Sequence, residues 1–332
     1  MNLRITAFGK TDVGLVRSSN EDSLRIDDEL NLFLVCDGMG GHQAGEVASK
    51  EACEIIQYCF TNLADEISRD SILSIPATFP VMGDLLVKSI RVANRSIYIK
   101  SRSRSDYSGM GTTIVAAVLQ DNLINIAHVG DSRVYLYAGE SLTPLTVDHS
   151  WVAELERTGQ YSSQEVAMMA NKNVITRALG IHETVEIDYR ARKINAGDIY
   201  IFCSDGLCGY ASDEDLFMVI RECGNDVEQI ANSLVQLAND RGGVDNVSVV
   251  AVRIDHVDDK PGTAEISPVT VPAEGDEAIL RENQIVESIS KLREEMKYTP
   301  PVVEEKSRTG LFIVIAVILI IVLYILYRFY LQ

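Results

Sequence analysis

Basic residues are few in this chain: 30 Lys and Arg stand against 48 Asp and Glu, a formal net charge of −18. That balance argues against a nucleic-acid partner, because phosphate contacts need clustered Lys and Arg. The acidity serves solubility. Cysteine is also scarce. The six cysteines lie between Cys36 and Cys223, none in a Cys-x-x-Cys pair and most inside apolar runs. Zinc sites and a disulfide framework are thereby disfavoured, and the cysteines read as small buried hydrophobes in a reducing compartment. Met1 to Gly9 has no long apolar core of the signal-peptide kind. No internal repeat occurs at solenoid spacing. Proline is sparse, and five of the eight prolines crowd in or beside residues 255–305.

The 332 residues allow one large domain or two smaller ones, with ample core. Four apolar runs each meet an aspartate beside glycine or asparagine. Leu32 to Cys36 runs into Asp37-Gly38, Ile124 to Val129 into Gly130-Asp131, and Ile199 to Ser204 into Asp205-Gly206. Asp245-Asn246 opens the run Val247 to Val252. Apolar runs bounded by turn residues predict buried strands. If these strands share sheets, their carboxylates gather at one edge. Like charges that close cannot all stay ionised without a cation, and an oxygen-only cluster suits Mg²⁺ or Mn²⁺. Each Asp-Gly alone is an ordinary turn.

Periodicity predicts helices over Gly45 to Phe60 and Asp84 to Lys100, one capped by Ser212, and one capped by Asp226 through about Asp240. Gln120-Asp121-Asn122 and Ala138-Gly139-Glu140 predict hairpin turns. The pattern taken alone gives an α+β chain with substantial β content.

Eight blocks in order carry a resemblance. They are Asp12 to Asp22, Val35 to Glu46, Gly109 to Thr113, His128 to Arg133, Thr146 to Ser150, Thr176 to Gly180, Cys203 to Leu207 and Gly242 to Asn246. The chain resembles the bacterial form of the metal-dependent protein phosphatases of type 2C over residues 1–254. The resemblance implies a four-layer α-β-β-α sandwich with two central, mainly antiparallel sheets. It implies a serine/threonine protein phosphatase with Mn²⁺ or Mg²⁺ as cofactor, and two-metal activation of a bridging water without a phosphoenzyme. By the same resemblance Asp37 bridges both ions, Gly38 offers its carbonyl, and Asp205 and Asp245 bind the other ion. Glu21 and Asp22 complete the shell, and Asp131 joins Asp205 at a third, looser ion. Arg17 is the implied catalytic, phosphate-binding group, its planar fork matched to phosphate oxygens. Met39 stands where many eukaryotic members carry a histidine proposed as proton donor. His42 follows three residues later, its role open between loop structure, tuning of a metal-bound water and acid catalysis. Trp151 to Val174 is implied to include a flap beside the site. His149 reads as loop structure, and His128 and His182 as ordinary polar positions.

After Ile254 the composition shifts. Asp255 to Glu305 holds thirteen acids against five Lys or Arg, which predicts an acidic, proline-containing linker over 255–310, with Ile285, Ile289, Leu292 and Met296 at helical spacing for a transient solvated helix or a short coiled-coil seam. Leu311 to Tyr327 carries no charge. Extended to Leu331, with Arg328 snorkelling, it predicts a transmembrane helix over 311–331. Lys306 and Arg308 favour a cytoplasmic catalytic domain under the positive-inside rule, and Arg328 opposes it. The expected partners are phosphorylated proteins, a serine/threonine kinase as counterpart, and the cell membrane through a single pass.

Overall fold

The computed structural model describes residues 3–41, 44–73, 78–158, 174–258, 265–273 and 275–297. The chain divides into a first unit, residues 1–286, and a second, 287–332. In chain order the strands are β1 (Arg4–Asp12), β2 (Asp22–Asp27), β3 (Leu32–Met39), β4 (Gly111–Thr112), β5 (Ile114–Gln120) and β6 (Leu123–Val129). Then follow β7 (Arg133–Ala138), β8 (Ser141–Pro144), β9 (Ile187–Lys193), β10 (Ile199–Cys203), β11 (Val247–His256) and β12 (Ile266–Val271). The α-helices are α1 (Ala44–Asn62), α2 (Ala64–Arg69), α3 (Val81–Ser103), α4 (Trp151–Thr158), α5 (Asp205–Cys208), α6 (Asp213–Cys223), α7 (Val227–Asp240) and α8 (Asp276–Lys297).

One sheet runs β1-β11-β10-β7-β8, the other β12-β9-β6-β5-β3-β2 with β4 beside β3, and the pairings are antiparallel. The two sheets face each other through Phe33, Val35, Ile124 and Ile126 on one side and Tyr200, Phe202, Val250 and Val252 on the other. The alternate residues of β10 and β11, Ile199, Ile201, Val249 and Ala251, face outward onto Leu216 and Ile220 of α6 and Ile230 and Leu234 of α7. Helices α1 and α3 lie on the seven-stranded sheet. Each central strand therefore has a sheet on one face and helices on the other. Both faces are dry, which is why these strands read as continuous apolar runs rather than alternating ones.

The local signals behave as their chemistry requires. The Ser212 hydroxyl accepts from Asp215 N–H at 3.2 Å while Asp215 accepts from Ser212 N–H at 2.9 Å, a reciprocal cap on α6. Asp226 accepts from the N–H groups of Glu228 and Gln229, both at 3.1 Å, at the start of α7. The cysteines are free, and five of the six are buried.

The acidic linker expected from residue 255 onward does not describe residues 266–286. Strand β12 joins the seven-stranded sheet, with Val269 opposite Tyr189, Thr270 opposite Asp188 and Val271 opposite Ile187. Arg91, buried in α3, donates to Pro272 O at 2.7 Å, and Arg281 pairs with Asp70 and, at 2.7 Å, with Glu66. Val271, Ala278, Ile285 and Val286 are buried. Composition misses this because β12 is short, mostly exposed and contains a proline, and the helix that follows it is rich in acids. In the second unit, residues 287–297 continue α8, with Lys291 paired to Glu287 at 2.8 Å. Among the described residues no helix is long and apolar enough to cross a membrane. The segment 311–331, His42 and residues 159–173 of the expected flap lie outside the described residues.

Candidate metal-dependent active site

The sandwich brings the aspartates of different strands to one end. Asp37 sits near the end of β3 and Asp22 directly opposite it at the start of β2. Asp131 follows β6, Asp205 follows β10, and Asp245 precedes β11. Three of these strands, β2, β3 and β6, belong to the seven-stranded sheet and two, β10 and β11, to the other, so the site lies between the sheets rather than on the edge of either.

The backbone around Asp37 is fixed from three directions. Its N–H donates to Thr113 Oγ1 at 3.1 Å, and its carbonyl accepts from Thr113 N–H at 2.8 Å and from the Thr112 hydroxyl at 2.9 Å. Gly38 is held by the bond from its N–H to Glu21 O at 3.1 Å. A Cβ on Gly38 would stand 2.1 Å from Gly45 O and 2.5 Å from Glu21 O. Glycine is thus required here by the close approach of two other backbone segments.

Asn246 holds the loop that carries Arg17 and Glu21. Its amide donates to Val13 O and Ser19 O, both at 2.9 Å, and its side-chain oxygen accepts from Glu21 N–H at 2.8 Å. Arg17 Nη2 donates to Asp245 Oδ2 at 2.8 Å, with the arginine side chain 53% exposed. The hydrogen bond to Asp245 raises the Arg17 pKa further. Its ion-pair partner comes from the chain crossing at residue 245 rather than from the nearby acids Glu21 and Asp22.

The electrostatics are those of crowded carboxyls. Burial, and then the neighbouring Asp22 and Asp205, push the Asp37 pKa well above its ordinary range. Asp205 is raised by burial and lowered by its hydrogen bond with Asp37, with a net rise. Two carboxyls sharing a hydrogen bond hold one proton between them. Asp22 is pushed up to about 7 by burial despite hydrogen bonds from Ser204 and Ser248, the first at 2.8 Å. Asp131 is likewise pushed up to about 7 by burial and by Asp205. Glu21 is raised, again chiefly by burial. One oxygen of Asp22 and one of Asp131 are buried without a hydrogen-bond partner in the structure. Orphaned buried carboxylate oxygens, an oxygen-only donor set and raised carboxyl pKa values fit divalent hard cations.

All eight predicted site residues therefore converge. The sequence reading does not reach their supports: Thr112, Thr113, Ser204, Ser248 and Asn246. Thr112, Thr113, Ser204 and Asn246 stand inside the quoted blocks, but nothing in a one-dimensional spacing shows which atom a hydroxyl or amide will reach.

Residues 10–247 match the protein phosphatase 2C family. The chain belongs to that family. As a protein phosphatase 2C it is a metal-dependent phosphoprotein phosphatase. It is 34% identical over 249 residues to the serine/threonine phosphatase stp of Listeria monocytogenes, covering 74% of this chain and 94% of that one. It is 34% identical over 305 residues to the serine/threonine protein phosphatase PstP of Mycobacterium tuberculosis, covering 90% of this chain and 55% of PstP. The crystal structure of the PstP catalytic domain in complex with 2 manganese ions superposes with a TM-score of 0.64 at 33% identity, covering 77% of this chain and 100% of that domain.

Proposed function

We propose that this protein phosphatase 2C hydrolyses phosphoserine and phosphothreonine in proteins at a two-ion carboxylate site, tethered to the cytoplasmic face of the cell membrane by residues 311–331. The convergence of Arg17 with Asp37, Asp131, Asp205 and Asp245 carries the catalytic reading. Asp37 and the Gly38 carbonyl would hold one Mn²⁺ or Mg²⁺, and Asp37, Asp205 and Asp245 the other. Glu21 and Asp22 would act directly or through water, and Asp131 with Asp205 would hold a looser third. The PstP catalytic domain with 2 manganese ions supports that count. Such ions supply a strong nucleophile at neutral pH and cancel charge on the phosphoryl oxygens. Arg17, half exposed at the rim, orients the phosphate with its planar fork. Thr112, Thr113 and Asn246 hold the Asp37 and Arg17 segments in register, so the carboxylates need no reorganisation when substrate arrives.

The apolar run from Leu311 to Tyr327 supports the membrane tether, and Lys306 and Arg308 support the orientation. A serine/threonine kinase would supply the substrates. Phosphopeptides assayed against nucleotides and sugar phosphates test the substrate class, and faster turnover of the small molecules would overturn it. External protease on intact spheroplasts should spare the catalytic domain until permeabilisation; earlier digestion would reverse the topology.

Arg17→Ala should raise KM for a phosphopeptide by about 10- to 100-fold, the scale of a charge-assisted hydrogen bond, with kcat changed far less. Steady-state kinetics at saturating Mn²⁺ check this, and an unchanged KM would remove Arg17 from phosphate binding.

Metal binding should be pH-dependent. The metal-free folded chain holds protons on Asp22 and Asp131 up to about pH 7, and on Asp37 and Asp205 above the ordinary range. These groups therefore stabilise the metal-free fold most below the unfolded carboxyl pKa, and that contribution is lost as pH rises through about 7. Cations must displace those protons. Mn²⁺ affinity measured by calorimetry should rise from pH 6 to 7 by about tenfold per proton displaced, with proton release into the buffer. An affinity flat from pH 6 to 8 would contradict the protonated cluster.

A further inference from the structure

Beside the carboxylate site lies a second cluster, His128, His149 and Asp188, whose ligand atoms fall within 4.8 Å of one another. Its geometry is not that of a metal centre. Gly130 N–H donates to His149 Nδ1 at 3.1 Å, so that nitrogen is bare and the ring carries its proton on Nε2. Nε2 lies 3.2 Å from Asp188 Oδ2. Arg177 Nη1 stands 3.4 Å from His149 Nε2 and donates to Asp188 Oδ1 at 3.2 Å, so a guanidinium already fills the place of a cation. His128 stacks on His149 with ring centroids 4.7 Å apart, and burial lowers its pKa to about 4, so it adds no charge.

What the cluster does hold is a peptide. Gly130 has φ +110°, a backbone conformation suited to glycine, and it directly precedes Asp131. His149 grips it on both sides: Nδ1 accepts from Gly130 N–H, and His149 N–H donates to Gly130 O at 2.9 Å. His149 is buried, and its own carbonyl accepts from Thr176 N–H at 2.8 Å, next to Arg177. The far end of the chain is fixed by Asp188, which accepts from Arg177 and also from Thr270 of β12. Burial alone would raise the Asp188 pKa, but the hydrogen bonds from His149 and Thr270 hold it below the carboxylate range. Asp131, in contrast, has a buried oxygen without a hydrogen-bond partner. Its direction is set by its backbone.

We propose that Arg177, Asp188 and His149 are positioning residues that aim Asp131, and so set the affinity of the loosest ion, by locking the Gly130 peptide. This rests on the reading of Asp131 as a metal ligand given above. It also gives β12, which lies beyond the family match, a route to the active site through Thr270.

Mn²⁺ titrations of the full chain followed by the paramagnetic resonance of free Mn²⁺ test this. His149→Phe and Asp188→Asn should weaken the loosest binding step by about tenfold or more, the scale of outer-shell partners, and leave tighter steps unchanged. His149→Asn, whose amide oxygen can accept from Gly130 N–H as Nδ1 does but which offers no donor in the place of Nε2, should weaken that step less than His149→Phe does. Asp131→Ala should remove it. A loosest step intact in both His149→Phe and Asp188→Asn, but absent in Asp131→Ala, would overturn the positioning role and leave the ligand reading standing. Equal weakening of every step would also overturn it, as general loosening. All steps intact in Asp131→Ala would instead sink the ligand reading itself.

Discussion

Asp37→Ala is expected to lower kcat/KM toward a phosphothreonine peptide by at least about three orders of magnitude, a loss of roughly 4 kcal/mol of transition-state stabilisation. The size follows from position. Asp37 is the carboxylate that stands opposite Asp22 in the strand pair and feels its charge, shares a hydrogen bond with Asp205 and feels the charge of Asp131. Its removal takes away nucleophile activation and charge compensation together, whereas Arg17→Ala removes one contact. The fold should survive, because the Asp37 backbone is held by Thr112 and Thr113 and not by its side chain. Deleting one of several crowded carboxyls should leave the metal-free melting temperature equal or higher, while the stabilisation gained on adding Mn²⁺ falls away. Kinetics and paired melts with and without Mn²⁺ check both halves. Wild-type turnover in the variant would refute the assignment.

A chain ending at residue 254 should melt about 10 °C or more below one ending at residue 297. The cut removes the buried side chains of Val271, Ala278, Ile285 and Val286. At about 1.5–3 kcal/mol for each larger side chain, that is several kcal/mol, and each kcal/mol is worth roughly 2–4 °C in a domain of this size. It also strips Arg91 of its bond to Pro272 O and uncovers the edge of β9. Activity of the short chain should fall at limiting Mn²⁺ if Thr270 supports Asp188. Equal melting temperatures for the two chains would show that β12 and the first turns of α8 add nothing to the folded unit.

The strands that build the site were legible because both their faces are dry, so Leu32 to Cys36 and Ile199 to Cys203 are unbroken apolar runs leading into Asp37 and Asp205. The caps at Ser212 and Asp226 were legible because capping is local chemistry. What stayed hidden is long-range. Arg17 reaches Asp245 across 228 residues of sequence, and no spacing rule contains that distance. His149 reads as loop structure, which is correct for its backbone, yet its ring connects Gly130 to Asp188 on another strand. Residues 266–271 form a short edge strand with most side chains in water and a proline at 268, so the β-branched run Val269 to Val271 was masked by the acidic, proline-containing stretch around it until the pairing with β9 showed it. The expectations placed on His42, the flap and the membrane span concern residues outside those described.

The account rests on one claim, that the crowded carboxylates are a divalent-cation site that hydrolyses phosphoprotein. The most direct measurement is turnover of a phosphothreonine peptide by the full chain after exhaustive chelation and dialysis, with Mn²⁺ then titrated back. Activity should be absent without metal and return with added Mn²⁺, more steeply at pH 8 than at pH 6. Undiminished turnover in the presence of excess chelator would contradict it.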